Sequence, residues 1–440
     1  LKNKTIRILF CLLFLVFISG TMLAQNRISS PYSRFGIGNL FNNANTYNLS
    51  MGGTAYALRS PMHVNAANPA SYTAFDSTSF VFEGGLISNF STLKTDLLSQ
   101  KSNYTSLSNL LFGFPVTNWW RSSFGLVPFS NVGYKIVSNN ITSIDSLYSE
   151  YRDSVFRLSY QDKYEGSGGI NQVYWGNAFK LNKNLSIGIN ATFLFGSIEK
   201  ISATEFPDSA TYFNSRTSKT TYVHDFYFTY GIQYFKPLKH DLTFGAGAVF
   251  SKSSKIKATQ DILSETYTIG SGDIILPRDS IVYKDGGIKG DIIIPTNFGI
   301  GLSLKKSDIW LVATDYQWQN WNKFKSFNEK DSLKNSWRAA IGAQYVPQKA
   351  IFPRMFDRIE YRLGFHYSKT YLELQNNQLS EMGFSFGIGL PLRKSKSNIN
   401  FGIEVGRQGT TANNLLQENY FKFSLSVSLS ERWFIKSKYD

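Results

Sequence analysis

Seven residues of the chain have the side chains from which polar sites are built and share one parity of alternating segments: Asp225, Asp315, Arg338, Glu360, Arg362, His366 and Glu404. Carboxylates, guanidinium groups and an imidazole brought together can line a polar path, or latch one piece of chain to another through ion pairs. An apolar neighbour would leave such groups unpaired at a cost of several kcal/mol each, so the expectation for the set is a latch. The covalent chemistries lack members. His224-Asp225 invites comparison with barrel proteases that use His and Asp near a rim, but the acidic pair that would complete the site is not apparent. A dyad needs hydrogen-bond reach and a second activating group. A Ser–His hydrolase is not signalled either, because His63, His224, His240 and His366 are the only histidines and none has a matched serine motif. Phe244-Gly245-Ala246-Gly247 and Phe298-Gly299-Ile300-Gly301 resemble phosphate loops on the page. They alternate with apolar residues inside strands and open no helix, so that reading fails and the glycines are expected to thin an inner wall. No His/Cys cluster has zinc spacing. No catalytic group, metal or cofactor is expected.

The elements that must carry these residues are β-strands. Leu185, Ile187, Ile189, Ala191, Phe193 and Phe195 alternate with Ser186, Gly188, Asn190 and Thr192. Ile359, Tyr361, Leu363, Phe365 and Tyr367 alternate with Glu360, Arg362, Gly364 and His366. Period-two alternation gives each strand one fatty and one polar face. The runs are long enough for a tilted strand to cross a bilayer, which takes roughly 9–11 residues. Strands are predicted at 78–89, 106–116, 121–137, 170–181, 185–197, 221–235, 242–253, 291–304, 309–319, 336–346, 359–372, 382–392, 399–407 and 419–429. That is an even set joined alternately by short turns and long loops, the longest at 138–169, 199–220 and 254–290. Even strand number with short periplasmic turns and longer outer loops is the pattern of a bacterial outer-membrane barrel. The eight tryptophans all fall near predicted strand ends, where indole rings favour a membrane interface.

Composition agrees. Aromatic residues make up 16% of 440 residues, charged residues only 18%, and Gly numbers 34 against 12 Pro. This excludes a disordered chain and departs from the usual quarter or so of charged residues in soluble domains. The formal charge of +15 raises the question of nucleic acid. Much of the Lys and Arg lies in predicted periplasmic turns and the tail, so periplasmic proteins or anionic headgroups are the better expected partners. Lys2, Lys4 and Arg7 precede a short apolar run over 8–18, and Met22-Leu23-Ala24 precedes Gln25. This reads as a secretory signal peptide, 1–24. The single cysteine, Cys11, falls inside it, so no disulfide framework follows.

Residues 25–77 do not alternate and are rich in Asn, Ser, Gly and Ala. The economical reading is a plug, since a barrel of about 14 strands is wider than its side chains fill. Residues 78–440 would then be the barrel and a short tail. Within 25–77, Ser50-Met51-Gly52-Gly53 and the run Ala67-Asn68-Pro69-Ala70-Ser71-Tyr72-Thr73-Ala74-Phe75-Asp76-Ser77-Thr78-Ser79-Phe80 resemble the long-chain fatty-acid transporter family of outer-membrane proteins. Phe124-Gly125-Leu126-Val127-Pro128-Phe129 resembles that family's third strand. The resemblance implies an all-β, transmembrane antiparallel barrel of about 14 strands with an N-terminal hatch inside the lumen. It further implies that Asn68, Pro69 and Ala70 form a hatch motif facing a kink in the third strand, beside which hydrophobic ligands leave sideways. Pro128 independently marks an interruption, because proline cannot donate to a ladder. The Ser30-Pro31-Tyr32-Ser33-Arg34-Phe35-Gly36-Ile37-Gly38 opening and the tail after the last strand look like a divergent Bacteroidota-type branch, whose relatives include subunits of secretion and barrel-assembly machines.

The expected function is an outer-membrane channel, not an enzyme, that passes small hydrophobic molecules through a hatch-gated barrel with lateral exit. The alternative is a structural barrel subunit of a secretion or protein-assembly complex. Outer-membrane lipid, hydrophobic small molecules and periplasmic or outer-membrane proteins are the partners these readings imply.

Overall fold

The computed structural model describes residues 30–41, 44–144, 156–207, 212–270, 275–347, 355–392 and 396–432. The leader, Cys11 and residues 433–440, with Trp433, lie outside them.

Fourteen antiparallel strands close into one barrel. They are β1 (Ser79–Lys94), β2 (Ser99–Pro115), β3 (Trp120–Ile144), β4 (Phe156–Lys180), β5 (Leu185–Glu205) and β6 (Asn214–Pro237). Then come β7 (Leu242–Ser251, resuming as Ser254–Ile269) and β8 (Ile275–Ile294, resuming as Asn297–Lys306). The circuit ends with β9 (Trp310–Gln319), β10 (Ser336–Tyr345), β11 (Glu360–Leu374), β12 (Asn377–Pro391), β13 (Asn398–Gly409) and β14 (Gln417–Arg432). β14 pairs back onto β1 from Gln417–Lys94 to Arg432–Ser79. Closure is a physical requirement in hydrocarbon, where an unpaired sheet edge has no water to bond.

Every strand expected from the alternation is present, and the faces separate as expected. Leu363 and Phe384 on the outward parity are 63% and 62% exposed, whereas Glu83 and Arg362 on the inward parity are fully buried. Exposed large apolar side chains opposite buried charges are what a lipid-facing wall around a filled lumen requires.

Two expectations are corrected. Most of the residues expected in long loops continue the strands. β3 and β4 have 25 residues each, β5 has 21 and β6 has 24, while β9 and β10 have only 10. At about 3.3 Å per residue, one side of the barrel therefore rises far above the other. Beyond the bilayer the outer face is wetted, so alternation fades although the ladder continues. Trp321 is the second correction. It is not at an interface but buried, stacked on Tyr371 with centroids 4.7 Å apart.

Two of the irregularities in the ladders bear on the site. β7 and β8 break at the same level, and there the Asp225 carboxylate accepts the Lys257 backbone N–H at 2.9 Å. The second defect lies between β2 and β3. Their pairing stops at Leu110–Leu126, just before Pro128, and a register shift separates Pro128 from Ser130. Beyond it the edge of β3 is taken by the N-terminal segment. The two-residue strand Asn39–Leu40 pairs with Asn131 and Ser130, and Phe41 N–H donates to Phe129 O at 3.0 Å. Ser30 N–H donates to Gly133 O at 3.0 Å, and Gly133 N–H donates to Ser33 Oγ at 3.1 Å.

Deleting residues 30–41 should leave the barrel folded by heat-modifiable gel migration. It should expose the Gly133 amide to hydrogen exchange by at least tenfold while the Leu110–Pro115 ladder keeps its protection. Equal exchange in both proteins would show that the segment does not shield this edge.

Candidate functional site

The lumen is occupied by the chain's own N-terminal segment, and the geometry of that seating defines the site. The lower part, from Ala44 to Phe75, lies against inward glycines of the wall. A Cβ on Gly364 would overlap the backbone of Met51 and Gly52, one on Gly247 the backbone of Tyr56, and one on Gly188 the backbone of Pro69 and Ala70. Gly231 is held against Asn68, and Gly387 against Ser50. The segment approaches to backbone contact where the wall has no side chain, as a packed interface with almost no void requires.

Between these contacts, polar side chains of the wall take up the segment's backbone groups. Asp315 accepts from Ala55 N–H at 2.6 Å and from Tyr56 N–H at 2.9 Å. Arg338 donates to Gly52 O at 2.5 Å. Arg362 is buried under the Tyr47 ring, its guanidinium carbon 4.4 Å from the centroid. It donates to Asn400 Oδ1 at 2.9 Å and Gln344 Oε1 at 3.2 Å, and pairs with Glu360. Three of the seven sequence candidates thus touch the segment and Glu360 braces one of them.

The other three sit elsewhere. His366 lies 3.7 Å from Glu381 and 3.9 Å from Glu404, while Lys422 bonds Glu404 at 2.9 Å. This cluster faces a cavity of about 230 Å³ above the lower segment, lined also by Arg338, Tyr104 and Asn131. Asp225 is spent on the ladder break. His224 and Asp225 form no dyad, because adjacent strand residues point to opposite faces. His224 is exposed on the outside.

The Asn68-Pro69-Ala70 motif opens a 3-10 helix, Pro69–Ala74. Asn68 caps it by accepting from Ala70 N–H at 3.1 Å, and donates to Tyr56 O at 2.7 Å and Ile232 O at 3.2 Å. The motif is seated on β5 and β6. Asn39–Leu40 pairs with Asn131 and Ser130 beside the β3 interruption.

Above the cavity the mouth is capped by an apolar cluster around Tyr32 and Ile37, with Trp321, Phe324, Tyr371, Leu379 and Leu415. The Tyr32 hydroxyl donates to Leu416 O. Burial pushes the phenol up to about 12, so it keeps its proton through the physiological range.

Several contributors were not singled out in the sequence. Glu83 accepts from Val64 N–H at 3.2 Å, and Gln233 donates to Tyr56 O and Leu58 O at 3.0 Å each. Asn190 donates to Ala66 O at 3.0 Å. All three lie on the inward parity, which was the available signal.

Gly364→Val should unseat the lower segment and cost about 1–3 kcal/mol, the usual range for overpacking. It should be seen as a lower melting temperature in detergent. Gly84→Val, where an added Cβ would find its nearest neighbour at 3.4 Å, should leave melting nearly unchanged. Asp315→Ala strands two buried N–H groups and should cost about 1–3 kcal/mol, with faster exchange confined to the Ala55 and Tyr56 amides.

Comparison with known proteins places this geometry. A sequence profile described as BamG matches residues 4–440. Comparison with curated proteins gives no match. Among solved structures, the chain is similar to the CymD monoaromatic hydrocarbon channel, with TM-score 0.55 and 13% identity over 91% of this chain and 100% of that one. A Pseudomonas aeruginosa FadL homologue gives 0.56 and 12%, over 90% and 99%. The Pseudomonas putida toluene transporter TodX gives 0.53 and 18%, over 90% and 100%. At such identities the likeness establishes the fold of these outer-membrane proteins.

Proposed function

The chain belongs to the BamG family, and from that premise we propose an outer-membrane barrel that passes small hydrophobic molecules past an N-terminal hatch, with lateral exit beside Pro128. In this reading the hatch is residues 25–77, residues 78–440 are the barrel with a short periplasmic tail, and the short-turn end faces the periplasm. The observation that carries the reading is the β2–β3 ladder, which ends at Leu110–Leu126 and leaves the β3 edge to a two-residue strand. A seam held by so few pairs is the part of the wall that yields at least cost. Two of the similar structures are a monoaromatic hydrocarbon channel and a toluene transporter, which supports the same cargo class.

In this mechanism no covalent bond changes. A ligand buries apolar surface in the outer cap around Tyr32 and Ile37, at about 25 cal/mol per Å². Residues 30–41 leave the β3 edge, and the ligand passes into the bilayer at the interruption. Asn68, Asp315, Arg338 and Arg362 hold the lower segment still, so that the opening is sideways and not straight through. Asn68→Ala removes the cap of Pro69–Ala74 and two bonds to neighbouring carbonyls. It should change uptake of a toluene-sized probe into proteoliposomes at least threefold. Unaltered uptake of every hydrophobic probe would reject hatch gating.

A second reading is favoured by one feature of the lumen. The cavity between cap and lower segment is lined by Glu381, Glu404, Lys422, His366 and Arg338, a poor path for a hydrocarbon. The same barrel, sealed, would then be a subunit that docks partner proteins in a secretion or assembly complex. Native mass spectrometry of the gently extracted protein separates the two. A lone barrel retaining a small apolar adduct supports passage, and a stoichiometric protein partner supports docking. If docking uses residues 433–440, their deletion should detach that partner while gel migration stays that of a folded barrel.

A further inference from the structure

One stretch of the outer surface carries positive charge that the protein itself does not neutralise. On the high wall, three basic side chains have carboxylate partners. Lys135 bonds Glu165 at 2.8 Å, Lys163 pairs with Glu205, and Arg216 pairs with Glu265. Where β7 and β8 break, the pattern changes. Lys252, Lys255, Lys257 and Lys289 are all exposed, and among the described residues none of the four stands within ion-pair distance of a carboxylate.

Register places them together. Ile256 and Ala258 point into the buried cluster, so Lys255 and Lys257 point outward, about 7 Å apart at two strand residues. Asp291 faces Lys257 across the ladder and Lys289 faces Thr259, which sets Lys289 diagonal to Lys257 at about 7–8 Å. Lys252 shares the outward parity with Phe250 just below the break. The acids of the neighbourhood do not cancel the set. Asp291 and Asp261 are two carboxylates among four ammonium groups, Asp261 Oδ1 already accepts the Gly287 N–H at 2.7 Å, and the Asp225 oxygens accept the Phe226 and Lys257 backbone N–H groups.

Height decides what such a cluster meets. On the same outward face, directly below the break, stand Phe250 and Phe298, each at least 40% exposed and paired across the ladder. Exposed aromatic side chains in this position mark the upper edge of the lipid-facing band. The four lysines therefore lie at the level of the outer-leaflet headgroups. Ammonium groups bind phosphate as point charges, and charge near a membrane surface draws them to anionic headgroups.

We propose that Lys252, Lys255, Lys257 and Lys289 form a binding site for the phosphorylated headgroup of an outer-leaflet glycolipid. The site depends on the membrane orientation given above and not on what the barrel passes, so failure of the uptake experiments leaves it standing.

The test is retention of defined lipid by the purified full chain, read by native mass spectrometry. Phosphorylated lipid A and its dephosphorylated form are added at equal concentration. The wild type should retain the phosphorylated lipid at least tenfold more. Lys255→Glu with Lys257→Glu should abolish that preference, whereas Lys236→Glu with Lys239→Glu, the same charge change at the opposite end, should preserve it. Equal retention of the two lipids by the wild type overturns the proposal. So does an equal loss in both double variants, which would mean net charge alone is read. If the first variant fails to show folded gel migration, Lys255→Gln with Lys257→Gln replaces it, and the wild-type comparison of the two lipids decides by itself.

Discussion

The structure depends on a polypeptide backbone packed inside a barrel wall. A backbone buried there brings N–H and C=O groups that must be paired, and it can reach the wall closely only where the wall lacks side chains. Both conditions are met by inward-facing residues of the wall. Gly188, Gly231, Gly247, Gly364 and Gly387 open the space, and Asp315, Arg338, Gln233 and Glu83 bond the segment beside them. Small residues admit the segment and polar residues bond it, and neither set would hold the segment alone.

The defects of the sheet are placed with equal economy. A ladder that ends early leaves donors and acceptors open, and at two such places a local device takes up some of them. At β7–β8 a carboxylate, Asp225, takes a stray backbone N–H. At β2–β3 a piece of the N-terminal segment acts as a substitute strand. The first device is fixed to the wall. The second belongs to a segment that also forms the apolar cap, so the cap and the gap move together or not at all.

This coupling gives the two functional readings their common ground. A barrel whose mouth, gap and lower lumen are all closed by one continuous N-terminal segment has a single element to displace. Passage of a ligand requires that displacement, whereas a docking subunit works with the segment in place. The polar cavity between the two layers, with His366 between Glu381 and Glu404, suits water more than hydrocarbon.

Much of this was written in the residues themselves. Alternation along 382–392 or 359–372 determines strand, lipid face and lumen face, because side chains on a strand have a period of two. Pro128 marks a ladder interruption for the same local reason, its missing N–H. The glycines inside alternating strands announce a thin wall. Which inward residue meets what was decided only by the fold. Asp315 and Asp225 are indistinguishable by parity, yet one holds the N-terminal segment and the other mends a break, since register between distant strands is set by closure of the whole sheet. Trp321 reads as an interface residue and is buried, because the cap that covers it comes from the far end of the chain. The height of the wall was hidden as well: above the bilayer the environment of a strand's outer face changes, and with it the pattern that reveals a strand.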